Sequence, residues 1–181
     1  MKAFEIMVEE HKNILEMLEV IRAYSLKILN GEEVQYDDFY KIIDFIRNYA
    51  DKHHHGKEEE LLFNKMVEEL GAPGEKLVKH GMLVEHDLGR LFVKDLEQAI
   101  GKVIEGDMDA RLDVISNAIG YSNLLKRHIE KEDSVVYVFA EKNLSKDTLK
   151  ELELQCNSYE EAKEEEAVKY LGILKELKRK L

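Results

Sequence analysis

Apolar residues recur along most of the chain at the three- and four-residue spacing of helices buried on one side. Over residues 3–29 the positions Phe4, Met7, Val8, His11, Ile14, Leu15, Leu18, Ile21 and Ile28 form one continuous stripe. Asn30-Gly31 then stops the helix. A second helix is predicted from Asp37 or Asp38, either of which can cap it, to about Leu70. Its stripe is Phe39, Ile42, Ile43, Ile46, Tyr49 and Ala50. The segment GAPG at 71–74 reads as a turn. A third helix is predicted over about 75–104. A fourth, over about 109–142, presents Leu112, Ile115, Ile119, Leu125, His128, Glu132, Val135 and Phe139 on one side. After Asn143-Leu144-Ser145, two helical stretches, KDTLKELELQ and AVKYLGILKELKRKL, flank a polar CNSYEEAKEEE that reads as a break or an exposed segment. No stretch reads as a strand. The expected fold class is all-α: an up-down-up-down four-helix bundle over 1–144, with one or two further helices over 145–181 packed on it. Val168, Leu171, Leu174 and Leu177 make a narrow seam that can alternatively face a partner helix or a second copy.

Composition narrows the setting. Hydrophobic residues are 44% and charged residues 36% of the 181, which suits amphipathic helices in water. The longest apolar runs, such as VVYVFA at 135–140, are too short to span a bilayer. The opening MKAFEIMVEEH carries charge within ten residues and does not read as a signal peptide, so a cytoplasmic protein is expected. A net charge of −11 argues against nucleic acid or an anionic membrane as partner. A monomer or homodimer is expected. The single cysteine, Cys156, excludes an intrachain disulfide and a cysteine-based metal cluster. Phosphate loops, dinucleotide fingerprints and nucleophile elbows are absent from the sequence.

The chemistry concentrates in HHHGKEEELLF at 53–63. Imidazole nitrogens and carboxylate oxygens together suit iron, zinc and manganese. His54 and Glu58 are four apart, as are His55 and Glu59, and residues four apart share a helix face. At the 100° step of an α-helix, His54, Glu58 and Leu61 continue the apolar stripe, whereas His55 and Glu59 rotate onto the line of Asp51. This selects His54 and Glu58 as ligands, with His55 and Glu59 as the alternative pair. His128 and Glu132 repeat the His-x3-Glu spacing in RHIEKED. Upstream of each pair stands another histidine preceded by glutamate, His11 in EEH and His86 in VEH. The two intervals are 43 residues (His11 to His54) and 42 (His86 to His128). The chain is thus two copies of one unit. Facing each other, they gather four histidines and two glutamates, the inventory of a dinuclear metal site in a helical bundle. His80 is expected to be solvent-exposed or to support the site from outside.

These motifs, EH at 10–11, HHGKEEELLF at 54–63, EHDLGR at 85–90 and HIEKED at 128–133, resemble those of the hemerythrin-like proteins with the His-His-Glu cation-binding domain. The resemblance covers about residues 1–142. It implies a non-haem di-iron centre, two iron ions inside an up-down bundle, with the two glutamates bridging them. Carried over by motif, the ligands are His11, His54, Glu58, His86, His128 and Glu132. One departure stands out. Oxygen-carrying hemerythrins have a further histidine four residues from its neighbour on the third helix, where this chain has Met82 and Arg90 around His86. Four histidines and two carboxylates leave a more open site. The expected function is binding or sensing of a diatomic gas (oxygen or nitric oxide) or of iron. The alternative is a di-iron redox enzyme handling peroxide or nitric oxide or repairing iron centres, and a zinc-stabilised bundle is a third possibility. Tyr24, Tyr49 and Tyr121 are the candidates for a proton or electron donor near the metal.

Overall fold

The computed structural model describes residues 2–32 and 35–181, and they form a helical bundle without strands. The first arm is α1 (Ala3–Leu29). It ends at Asn30, and Gly31 takes a left-handed φ of 75° that glycine adopts without a Cβ penalty. The second arm begins as α2 (Tyr36–Phe45), passes through wide turns at Ile46–His55 and Glu58–Phe63, and ends in α3 (Asn64–Leu77). Those wide turns are π-helical, their backbone N–H groups bonding five residues back, as Gly56 N–H does to Asp51. The cap of α2 is Gln35, without a side-chain bond, and neither Asp37 nor Asp38 takes that role. Asp38 is used in the interior instead, accepting from Tyr24 at 2.7 Å and from Lys180 at 2.6 Å.

The chain reverses inside α3 at Gly71, where φ 58° and ψ −138° break the helical path just before Pro73. This is the turn predicted at 71–74. Packing there is close: a Cβ on Gly74 would lie 2.2 Å from the Met66 carbonyl oxygen. The third arm is a π-helical Val78–Met82 followed by α4 (Leu83–Ile104). The fourth is α5 (Arg111–Lys131), a π-helical Glu132–Val136 and α6 (Tyr137–Asn143). Its inward face differs from the predicted one at two positions. Leu112 is 71% and Val135 49% exposed, while Val114, Ala118 and Val136 face the core. At Val135–Val136 the inward side moves by one residue inside the π-helical turn Glu132–Val136, whose wider turn shifts the register.

Beyond residue 144 the chain forms one helix, α7 (Lys146–Lys178). The polar segment 156–166 does not break it. Ser145 caps it, its hydroxyl accepting from Thr148 N–H at 3.1 Å. Tyr170, Leu174 and Leu177 join the core made with α1 and α2, with Leu171 packed against it, so most of the seam faces the bundle while Val168 remains 62% exposed. Cys156 is fully buried, and burial pushes its thiol up to about 11. Two apolar clusters make up the interior. One joins Ile14–Ile28 to Phe39–Ala50, Val93–Val103 and Val114–Ile129, and the other joins Ala3–Met7 to Leu62–Met66, Val78–Met82 and Val136–Leu144. Between them, at the levels of residues 10–11, 53–58, 86 and 128–132, lies a layer of buried histidines and carboxylates.

Candidate metal centre

All four arms contribute to this layer. His11 comes from α1, His54, His55 and Glu58 from the second arm, His86 from α4, and His128 and Glu132 from the fourth; each is at most 4% exposed. They form two groups whose ligand atoms converge within 4.8 Å. One is His11, His54, Glu58 and Glu132; the other is His55, Glu58, His86 and His128. All six sequence-selected residues are therefore brought together. A 100° step per residue turns His55 away from the interior, whereas in the structure it is buried. In the π-helical turns at 46–55, residues five apart rather than four align, so His55 follows Ala50 inward as His54 follows Tyr49. Glu59 stays at the rim.

The two glutamates lie between the groups. The two oxygens of Glu132 point opposite ways, Oε2 lying 3.3 Å from His11 Nε2 and Oε1 3.1 Å from His128 Nε2. Glu58 Oε2 is 3.7 Å from both His54 Nε2 and His86 Nε2. Its other oxygen accepts a 2.5 Å bond from the Tyr137 hydroxyl, and the Tyr137 ring stacks on His11. His86 Nε2 and His128 Nε2 are 3.1 Å apart, too close for two lone pairs with nothing shared between them.

Each of the five histidines donates from Nδ1 to a carboxylate and thereby turns Nε2 toward the centre. The partners are Asp133 for His11 (2.8 Å), Glu10 for His54 (2.8 Å), Asp51 for His55 (3.3 Å), Glu59 for His86 (2.6 Å) and Glu85 for His128 (2.9 Å). This carboxylate–histidine arrangement fixes the tautomer and orientation that metal ligation requires. Cations hold most of these carboxylates in turn: Arg90 holds Asp51 and Glu59, Lys131 holds Glu85, and Lys57 holds Glu10. The two halves match at an offset of 74 or 75 residues, which pairs Glu10 with Glu85, His54 with His128, Lys57 with Lys131, and Glu58 with Glu132. His55 has Ile129 as its counterpart, so the fifth histidine breaks the symmetry.

Among the described residues, His54 Nε2, His55 Nε2, Glu58 Oε2 and both Glu132 oxygens are buried without a hydrogen-bond partner. Buried polar atoms of this kind are costly unless paired or metal-bound. Burial and the Glu132 charge push the Glu58 carboxyl well above the usual range. Burial also raises Glu132, but His128, His11 and His86 more than offset it and hold it well below. Burial, reinforced by His11, lowers His54 to about 4, and burial with His86 lowers His55 as well. Burial thus favours the neutral imidazole at both, the form that ligates metal, while at His11 and His86 burial is outweighed by the carboxylates Asp133, Glu132 and Glu59 and the shift is upward. The donor set fits divalent cations.

The family model of the hemerythrin HHE cation binding domain matches residues 2–140. The chain belongs to this family. A comparison with curated proteins gives no match. In this hemerythrin-like chain α7 lies outside the matched residues.

Several contributors escaped sequence reasoning. Tyr137 was not singled out, whereas Tyr24 bonds Asp38, Tyr49 stacks on His53 and Tyr121 lines a cavity of about 110 Å³ beside His55, His86 and Arg90. The orienting carboxylates left a partial signal, because Glu10, Glu85 and Asp133 adjoin the motif residues. Their pairing is crossed, however: Glu10 precedes His11 but serves His54, and Glu85 precedes His86 but serves His128. His80 is exposed. His53 faces a third buried group with Glu10 and Glu160. Among the described residues no helix is long and apolar enough to cross a membrane.

Proposed function

We propose that the chain is a di-iron protein that binds or senses a diatomic gas, oxygen or nitric oxide, or iron itself. The ligands in this reading are His11, His54, Glu58, His86, His128 and Glu132, joined by His55. The observation that carries it is the pair of buried glutamates between two sets of imidazoles, with Glu58 Oε2 and both Glu132 oxygens lacking a hydrogen-bond partner. Carboxylate bridging with mixed His and Glu ligands is typical of di-iron bundles, which favours iron over zinc. Bound ferrous iron would supply reversible redox chemistry and open coordination positions for a small ligand.

The chain's residues divide the work unevenly. His11 and His54 with the two glutamates make a four-residue set, whereas His55, His86 and His128 give the other set a third imidazole. Glu58 belongs to both sets, so each has four residues, and the cavity of about 110 Å³ opens beside the second at His55 and His86. The Tyr137 hydroxyl stands beside the first set, 3.4 Å from His11 Nε2 and already donating to Glu58. This phenol favours one second reading, a redox enzyme in which Tyr137 supplies a proton or hydrogen bond at the centre. The bundle over 1–144, with 145–181 as an added helix, is the proposed organisation, in a cytoplasmic monomer or homodimer.

Elemental analysis of protein loaded anaerobically with ferrous iron should approach two ions per chain. A plateau at one would sink the dinuclear reading. Visible absorption spectra of that protein, before and after oxygen or nitric oxide, should change reversibly for a binder or sensor. Consumption of peroxide or nitric oxide over many turnovers would favour the enzyme, and a spectrum silent throughout would remove both.

A further inference from the structure

The twofold match between the halves fails a second time, at the cations behind His54 and His128. Lys131 and Glu85 form a partly exposed pair, with side chains 45% and 21% accessible. The matching Lys57 is completely buried, and its Glu10 partner is 6% accessible. Lys57 is also shared with a second carboxylate, Glu160, from the middle of α7. His53 Nε2 lies 2.9 Å from Glu10 and 3.4 Å from Glu160. Tyr159, the neighbour of Glu160, places its ring 5.5 Å from the Lys57 ammonium and donates to the Lys52 carbonyl at 3.1 Å. Glu10, His53 and Glu160 would make a cation site by themselves, and Lys57 fills it with a built-in ammonium. From the polar segment of α7, Tyr159 and Glu160 reach this group, Glu160 with its side chain 32% accessible, while Glu161, Glu164 and Glu165 face outward.

We infer that Lys57 and Glu160 are positioning residues through which α7 sets the donor strength of His54, and with it the reduction potential of the metal that His54 holds. The chain of contacts is Glu160 to Lys57, Lys57 to Glu10, and Glu10 to His54 Nδ1. A carboxylate accepting from Nδ1 makes the imidazole a stronger donor at Nε2. The Lys57 ammonium weakens that acceptor by neutralising Glu10. Glu160 draws part of the ammonium's charge away and restores it. Charge is felt strongly here because the group is buried. This inference rests on His54 being a metal ligand.

The two substitutions should therefore act in opposite directions. In Lys57→Met, Glu10 loses the ammonium and keeps His53 at 2.9 Å as its remaining partner on that side, so His54 becomes a stronger donor. In Glu160→Gln, Lys57 acts on Glu10 alone and His54 becomes a weaker one. The first readout uses the full metal-free chain: the Nδ1–H proton and nitrogen resonances of His54 should shift in opposite senses in the two variants. Lys131→Met should leave them close to wild type. The second readout is the reduction potential of iron-loaded protein, which should fall in Lys57→Met and rise in Glu160→Gln. A purely structural role would loosen the site in both, moving resonances and potentials in one direction or not at all, and that result overturns the inference. Opposite resonance shifts in a protein that takes up no iron would support the Glu10 relay and count against the di-iron reading instead.

Discussion

His55 shows how one residue's direction depends on the width of its helical turn. At 100° per residue it leaves the interior; with bonds five residues back it enters it, stacking on His86 with ring centroids 3.8 Å apart. It brings a fifth histidine beside His86, from a different arm. His55→Ala should therefore lower metal affinity, as His54→Ala and His128→Ala should. Removing groups that merely orient ligands already costs roughly 10–100-fold, so at least that loss is expected in metal titrations. His53→Ala and exposed His80→Ala should keep both ions. Full metal binding by His55→Ala would show that its ring packs on His86 without ligating.

At the scale of elements, α7 is held at both ends as well as at Leu152, Cys156 and Glu160 in between. Its second half packs Tyr170, Leu174 and Leu177 onto the bundle. Its start is fixed by the Ser145 cap, and Glu69 accepts from both Ser145 N–H and the Thr148 hydroxyl. Replacing such a cap by alanine typically costs about 1 kcal/mol. Ser145→Ala should destabilise the protein by about that amount in denaturant unfolding, with metal content unchanged, because the cap lies far along α7 from Glu160. A loss of metal in this variant would mean that the start of α7, and not only Glu160, governs the site.

For the whole molecule, the layer of charge between two apolar clusters sets the balance between fold and metal. Burial and the Glu132 charge raise the Glu58 carboxyl above its ordinary 4.5. A carboxyl raised in this way contributes stability fully below that value and loses it as pH rises through the folded-state pKa. The metal-free Glu58→Gln variant keeps the pairing of Glu132 with its histidines, lacks the carboxyl that burial disfavours, and should melt higher than metal-free wild type at neutral pH. Ferrous iron should reverse the order, since a ligand that binds only the native state stabilises it. Anaerobic thermal melts with and without iron check both halves. Equal stabilisation of the two proteins by iron would rule out Glu58 as a bridging ligand.

The sequence by itself determined the helical class, the four arms, the turn at Gly71 and the two His-x3-Glu pairs, because local periodicity and turn chemistry carry that information. It also identified the six residues that converge, since two copies of one spacing are visible without coordinates. Only the tertiary structure decided the rest. The inward turn of His55 depends on hydrogen bonds five residues back, which leave no mark in a 3.6-residue pattern. The crossed pairing of Glu10 with His54 and Glu85 with His128 joins residues 44 and 43 apart across separate arms. α7 runs on through its charged middle, with Leu152 and Cys156 packed in one apolar cluster, Tyr170, Leu174 and Leu177 in the other, and Glu160 paired with buried Lys57 between them. Glu161, Glu164 and Glu165 are exposed, as expected; that Glu160 instead turns toward Lys57 could not be read along the sequence, where nothing showed what lies opposite it.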